Sequence, residues 1–174
     1  MGNLKLTSST FSHGGEIPRE CGYKNGNKIT PLTVSGIPEG TKSLALIMDD
    51  PDAMRAVGKI WVHWGAWNID PTKTELELAK STEGMTDFGE VGYGGPAPPD
   101  KRHTYVFKLY ALDSELDLPD KSTKADVEKS MEGHIIDQTI LEGTYAPWKF
   151  NSVFLLYAVL RIYHQEKTLL DVLT

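Results

Sequence analysis

Apolar residues fall in short runs bounded by glycine, proline and aspartate, and these runs have the length of strands rather than of helices. Ser43-Leu44-Ala45-Leu46-Ile47-Met48-Asp49 follows the turn Pro38-Glu39-Gly40 and predicts a buried strand. Ile60 to Ile69, which holds Trp61, Trp64 and Trp67, predicts a second. In Tyr105 to Leu112 nearly every position is apolar, so this strand is expected to be covered on both faces, as in the interior of a packed sandwich. One helix is predicted, from about Lys124 to Glu142, and it is expected to lie over a sheet edge. Thr123 and Asp126 give it a capping-box-like start, Val127, Met131, Ile135 and Ile140 approximate one face, and Gly143 serves as the stop. Residues 71–88 are polar and mixed in pattern and read as a connection.

Composition supports this picture. A chain of 174 residues fits one domain large enough to bury a core without staples, and 16 glycines and 10 prolines favour strands and loops over a bundle. A net charge of -6 argues against nucleic acid as a partner, since phosphate backbones need a basic surface. Cys21 is the sole cysteine, so no intrachain disulfide forms. The N-terminus lacks the apolar run of a signal peptide, and the run Val153 to Leu160, closed by Arg161, is too short to span a bilayer. Together these predict a cytoplasmic protein with no membrane span.

Two clusters carry the candidate chemistry. The first is Asp49-Asp50-Pro51-Asp52-Ala53 with Trp61-Val62-His63-Trp64; the second is Gly92-Tyr93-Gly94-Gly95-Pro96-Ala97-Pro98-Pro99 leading into His103-Thr104-Tyr105. In an extended segment Asp50 and Asp52 point the same way and place two carboxylates at one spot; a turn in which aspartates cap backbone N–H groups is the other reading. Strand parity groups His63 with Trp61, Gly65 and Trp67, where it is either a ligand-facing imidazole or a packed core residue. Gly94 and Gly95 are expected to adopt positive φ and turn N–H groups toward one concavity, with the prolines stiffening the loop. Carboxylates repel anions, but a carboxylate that accepts a proton from one imidazole nitrogen raises that ring's pKa and leaves its other N–H for an anion.

In this order the clusters resemble the phosphatidylethanolamine-binding protein family, in particular its bacterial and archaeal, Raf-kinase-inhibitor-like branch. Ile37 to Leu46, Tyr110-Ala111-Leu112-Asp113 and Glu132-Gly133-His134-Ile135 extend the likeness over residues 3 to 146. The resemblance implies a mainly β fold, an antiparallel β-sandwich with a few peripheral helices, and a small anion pocket at one end. It implies no metal and no organic cofactor. Matched motif by motif, the ligand-binding positions are Asp50, Asp52, Trp61, His63, Gly95, Pro99, His103 and Tyr105, with none catalytic. Three residues depart from the pattern: Met54 stands for a proline, Ala97 for a frequent cysteine and Thr104 for an arginine. The spacer between Pro99 and His103 is also short, and its Lys101 and Arg102 are expected to place positive charge near the mouth.

The function so implied is non-catalytic binding of a phosphate-bearing or other anionic group, with regulation of a kinase or protease as its extension. A serine-protease inhibitor working through a surface loop, and an Asp/His-dependent hydrolase or metal-binding protein, are the alternatives. The whole chain reads as one domain, with 147–174 an extension whose apolar run makes a homodimer contact, folds over the pocket or packs as an ordinary core strand or helix.

Overall fold

Eleven elements of regular structure are built from alternating or fully apolar runs in the computed structural model, which describes residues 3–147. The strands are β1 (Lys5–Ser8), β2 (Leu32–Ser35), β3 (Ser43–Asp50), β4 (Trp61–Ile69), β5 (Thr82–Glu83), β6 (His103–Leu112) and β7 (Ile135–Tyr145). The helices are α1 (Ala53–Val57) and α2 (Lys124–Met131), with 3-10 turns at Arg19–Cys21 and Leu78–Lys80. Both sheets are antiparallel: β1 pairs with β2, and the larger sheet runs β5-β4-β3-β6-β7. The expected β-sandwich with few helices is therefore what forms.

Every residue of β3 is buried, because it is central in its sheet and covered on both faces. On the inner face Leu44, Leu46 and Met48 join Trp64, Ala66, Tyr105, Phe107 and Leu109 and are capped by Leu6, Leu32 and Val34 from the small sheet. On the outer face Ala45, Ile47 and Trp67 pack under Val127 and Met131 of α2. The neighbouring β6 alternates instead: Tyr105, Phe107, Leu109 and Ala111 are buried, whereas Val106, Lys108 and Tyr110 are half-buried. Its outer face is thus only partly covered, because α2 is short and lies over the middle of the sheet rather than over its edge.

The long helix expected from Lys124 to Glu142 is two elements. The capping box forms, with the Thr123 side chain accepting from the Asp126 amide and Asp126 bonding back. The helix stops at Met131, Gly133 turns the chain with φ 81°, and Ile135–Tyr145 runs as a strand beside β6. Ile135, Ile136, Thr139 and Ile140 are β-branched, and eleven residues of ladder satisfy more backbone than a helix without an apolar face. Gly143 is not a stop. It lies in β7 opposite Tyr105, where a Cβ would stand 2.6 Å from Ile17 and 2.7 Å from Phe11. Residues 71–88 also hold more order than expected, including β5 and the turn at Leu78–Lys80.

Among the described residues no helix is long and apolar enough to cross a membrane. The apolar run Val153 to Leu160 and His164 lie outside the described residues. The docking of α2 rests on two apolar side chains, so Met131→Ala is expected to destabilise the fold by about 2–5 kcal/mol in urea unfolding. A change below about 0.5 kcal/mol would show that α2 contributes little to the core.

Candidate functional site

Even-numbered residues of β3 and odd-numbered residues of β6 face the inner core, so Asp50 and His103 arrive at the same end of it. Asp50 is 3% exposed and His103 1%. A buried carboxylate needs partners, and Asp50 has them: Oδ2 accepts from His103 Nδ1 at 2.7 Å and Oδ1 from the Ala53 amide at 3.0 Å. His103 Nε2 donates in turn to Asp100 Oδ1 at 2.8 Å. With both ring nitrogens facing carboxylates, both carry protons and the ring is an imidazolium. Burial pushes its pKa down, but the hydrogen bonds to Asp50 and Asp100 outweigh this and the net shift is upward.

Strand parity would send His63 to the outer face with Trp67. The β3–β4 register slips between Met48 and Asp49, so Trp64 pairs with Met48 but Val62 with Asp49, and His63 is the extra residue. The bulge turns its ring toward the pocket end, edge-on to Tyr105 at 5.1 Å and to Phe88 at 5.3 Å. Asp87 holds the displaced backbone, accepting from the Val62 amide at 2.7 Å and from Lys59 at 2.7 Å. His63 Nδ1 donates to the Gly94 carbonyl at 2.7 Å, which leaves Nε2 as the acceptor of a neutral ring. Burial dominates this ring's titration and lowers its pKa, despite the hydrogen bond to Gly94 and the charge of Asp50.

The loop after Tyr93 is not a nest of free N–H groups. Gly94 N donates to the His63 carbonyl, Gly95 N to Asn27 Oδ1, and Ala97 N to the Tyr105 hydroxyl. Neither Gly94 nor Gly95 is among the residues with positive φ. They are glycines because of crowding: a Cβ on Gly94 would meet Phe88 at 2.6 Å, and one on Gly95 would meet the Cys21 carbonyl oxygen at 2.0 Å. Tyr105, fully buried, has its phenol pKa raised by burial and then by the charge of Asp50, so it remains a neutral brace.

Asp50, Ala53, Ala56, Val57, Trp61, His63, Phe88, Ala97 and Pro99 line a cavity of about 160 Å³ at this end. Four predicted residues, Asp50, Trp61, His63 and Pro99, therefore meet in its wall. Three more stand behind it: His103 holds Asp50, Tyr105 holds the loop at Ala97, and Gly95 lets the loop pack. Asp52 does not share a spot with Asp50. The chain turns at Pro51, Asp52 sits in the αR region before α1, and its Oδ2 accepts from the Thr104 amide at 2.8 Å. Asp50 and Asp52 thus clamp successive residues of β6. Arg102 points away from the mouth, to Thr144 and Glu16.

Sequence reasoning missed Asp100, Phe88 and the α1 wall of Ala53, Ala56 and Val57. Asp100 had a signal, an acid three residues before a histidine; Phe88 was the lone aromatic of a stretch that reads as mere connection. A wider groove of about 630 Å³ continues from the cavity past Trp61, Phe88, Ala97 and Pro99 to Arg19, Tyr23, Lys24 and Tyr145. Tyr23 stacks on Phe88 there, with ring centres 4.1 Å apart.

Two measurements check this geometry. Ring-proton NMR is expected to show His103 titrating above, and His63 below, the ordinary value of about 6.5. For stability, the His103 contribution is full at low pH and is lost as pH rises through its raised pKa. Neutral His63 acts oppositely, costing stability as pH falls below the ordinary value. Coincident titrations would refute the assigned hydrogen bonds. Gly95→Ala is expected to cost more than about 3 kcal/mol in urea unfolding, since the Cβ meets backbone rather than a flexible side chain; near-wild-type stability would show that the loop is not clamped.

The sequence profile of the phosphatidylethanolamine-binding proteins matches residues 7–146. A UPF0098 protein of Methanothermobacter thermautotrophicus is 41% identical over 151 residues, spanning 82% of this chain and 98% of its own. A UPF0098 protein of Chlamydia muridarum is 40% identical over 147 residues, with 82% and 98% covered. Among solved structures, the phosphatidylethanolamine-binding protein homologue CT736 of Chlamydia trachomatis superposes with a TM-score of 0.78 at 36% identity, covering 85% of this chain and 100% of that one. YbcL of E. coli, described as a member of the mammalian PEBP family, gives 0.76 at 30% identity, covering 84% and 100%. With motifs, sandwich and relatives in agreement, the chain belongs to the phosphatidylethanolamine-binding protein family, in its bacterial and archaeal branch.

Proposed function

We propose that this protein is a non-catalytic binding module whose pocket takes one phosphate-bearing or other anionic group, presented by a small molecule or a headgroup. The observation that supports this most directly is a small cavity, open to the wider groove, with mainly apolar walls and three polar side chains, the Asp50 carboxylate, the His63 ring and the Trp61 indole. In this reading Trp61 and Pro99 shape the wall, while Asp52, Gly95, His103 and Tyr105 hold the frame. Asp50 suits holding better than general-base chemistry, because His103 and the Ala53 amide already engage both its oxygens. A partner kinase or protease would be regulated through the same pocket by whatever competes for it.

In the free pocket Asp50 and His63 are acceptors and the Trp61 indole N–H, which has no hydrogen-bond partner among the described residues, is a donor, so an anion bound against Asp50 or His63 must arrive with a proton. It either carries its own P–OH or protonates His63, whose ring then donates through Nε2. Binding of sulfate, which has no proton of its own at these pH values, is therefore expected to take up close to one proton per site at pH 8 and to tighten as pH falls toward 6. Isothermal titration calorimetry with sulfate, in two buffers of different ionisation enthalpy, measures this uptake, and His63→Ala is expected to remove it. Sulfate binding without net proton uptake would exclude His63 as its proton donor, and absence of both sulfate and inorganic phosphate binding would exclude the anion reading.

A further inference from the structure

Asp100 stands outside the cavity wall, yet it completes a chain of three charged groups that ends inside it. The Asp50 carboxylate faces the pocket, His103 bridges it at 2.7 Å, and Asp100 closes the outer end at 2.8 Å. The imidazole is wholly buried between them, whereas the Asp100 side chain is 50% exposed. With His103 alone, the charge of Asp50 would be balanced and the pocket would be close to neutral. Asp100 adds a second carboxylate against one imidazolium, so the triad carries a net negative charge. Of the nearby cations, Arg102 is turned to Glu16 and Thr144 and Lys59 is paired with Asp87, while Lys101, next to Asp100, is exposed and screened by solvent.

We propose that Asp100 is a specificity-determining residue of the pocket, which by holding the outer N–H of His103 biases the site against dianionic ligands and toward monoanionic ones. The inference rests on the anion-binding reading above. Its physical basis is that the energy of a fixed charge scales with the charge of the ligand it meets. A phosphate monoester above its second pKa carries two charges and is penalised twice as much, on a logarithmic scale, as a diester that carries one. Asp100 acts through His103 and does not touch the ligand, so it is a positioning residue. Its placement follows from the short spacer after Pro99, which brings the first acid of that spacer back onto the ring three residues later.

Asp100→Asn tests this, because it keeps the shape and one acceptor oxygen while removing the charge. The probes are methyl sulfate and sulfate, a monoanion and a dianion whose charges do not change with pH, titrated calorimetrically into the full chain at pH 6, below the raised pKa of His103. A gain of about threefold in affinity for the monoanion and about tenfold for the dianion is expected, the second close to the square of the first. His103 in the free variant is expected to titrate lower than in wild type by ring NMR, which reports the link without any ligand. Asp100→Glu is expected to restore wild-type selectivity. If wild type binds both probes and Asp100→Asn leaves their ratio unchanged, the role of Asp100 is overturned while the anion site stands. If neither protein binds either probe, the anion reading fails and the specificity role falls with it.

Discussion

A carboxylate at the inner end of a fully buried strand is the constraint around which this end of the molecule is arranged. Asp50 lies where β3 leaves the core, and an unpaired charge there would be untenable. Its partners come from two other segments, His103 at the start of β6 and Ala53 at the start of α1. Removing one member of such a pair commonly costs about 3–5 kcal/mol, because the other is left buried and uncompensated. The pair therefore ties the position of α1, and with it one wall of the cavity, to the β3–β6 register. Asp52 repeats the clamp one residue further along β6.

What the sequence makes legible follows from how local each cause is. The buried strands β3 and β4, the capping box of α2 and the residues of both clusters can be read because each depends on its own few neighbours. The helix expected across Ile135 and Ile140 fails because their spacing of five residues keeps them off a common helical face, while the β-branched run pairs along the β6 ladder. Parity misplaces His63, since a bulge is a property of two strands and leaves no mark in one. Gly94 and Gly95 matter, but not for their conformational freedom: glycine signals freedom and close approach alike, and only the packing of Phe88 and Cys21 tells them apart.

The site itself is legible as a set of residue types but not as a division of labour. Of the eight predicted positions, four form the wall and four support it. Residues of the second kind are as motif-like as those of the first, because a rigid pocket needs its frame held as firmly as its surface. The histidines illustrate the division. One ring is kept charged behind the wall by two carboxylates, and the other is kept neutral in it by burial.

Ala53, Ala56, Val57 and Ala97 give the cavity much of its lining, and all four side chains are small. Ala53 and Ala97 stand on backbone held by Asp50 and Tyr105, so the room in front of Asp50 and His63 is set largely by small apolar surfaces rather than by the polar groups. A lineage could narrow, deepen or relocate that room one methylene at a time without disturbing the carboxylate and imidazole pairs. The volume of the chamber and its electrostatics are separable characters, free to diverge independently while the sandwich stays the same.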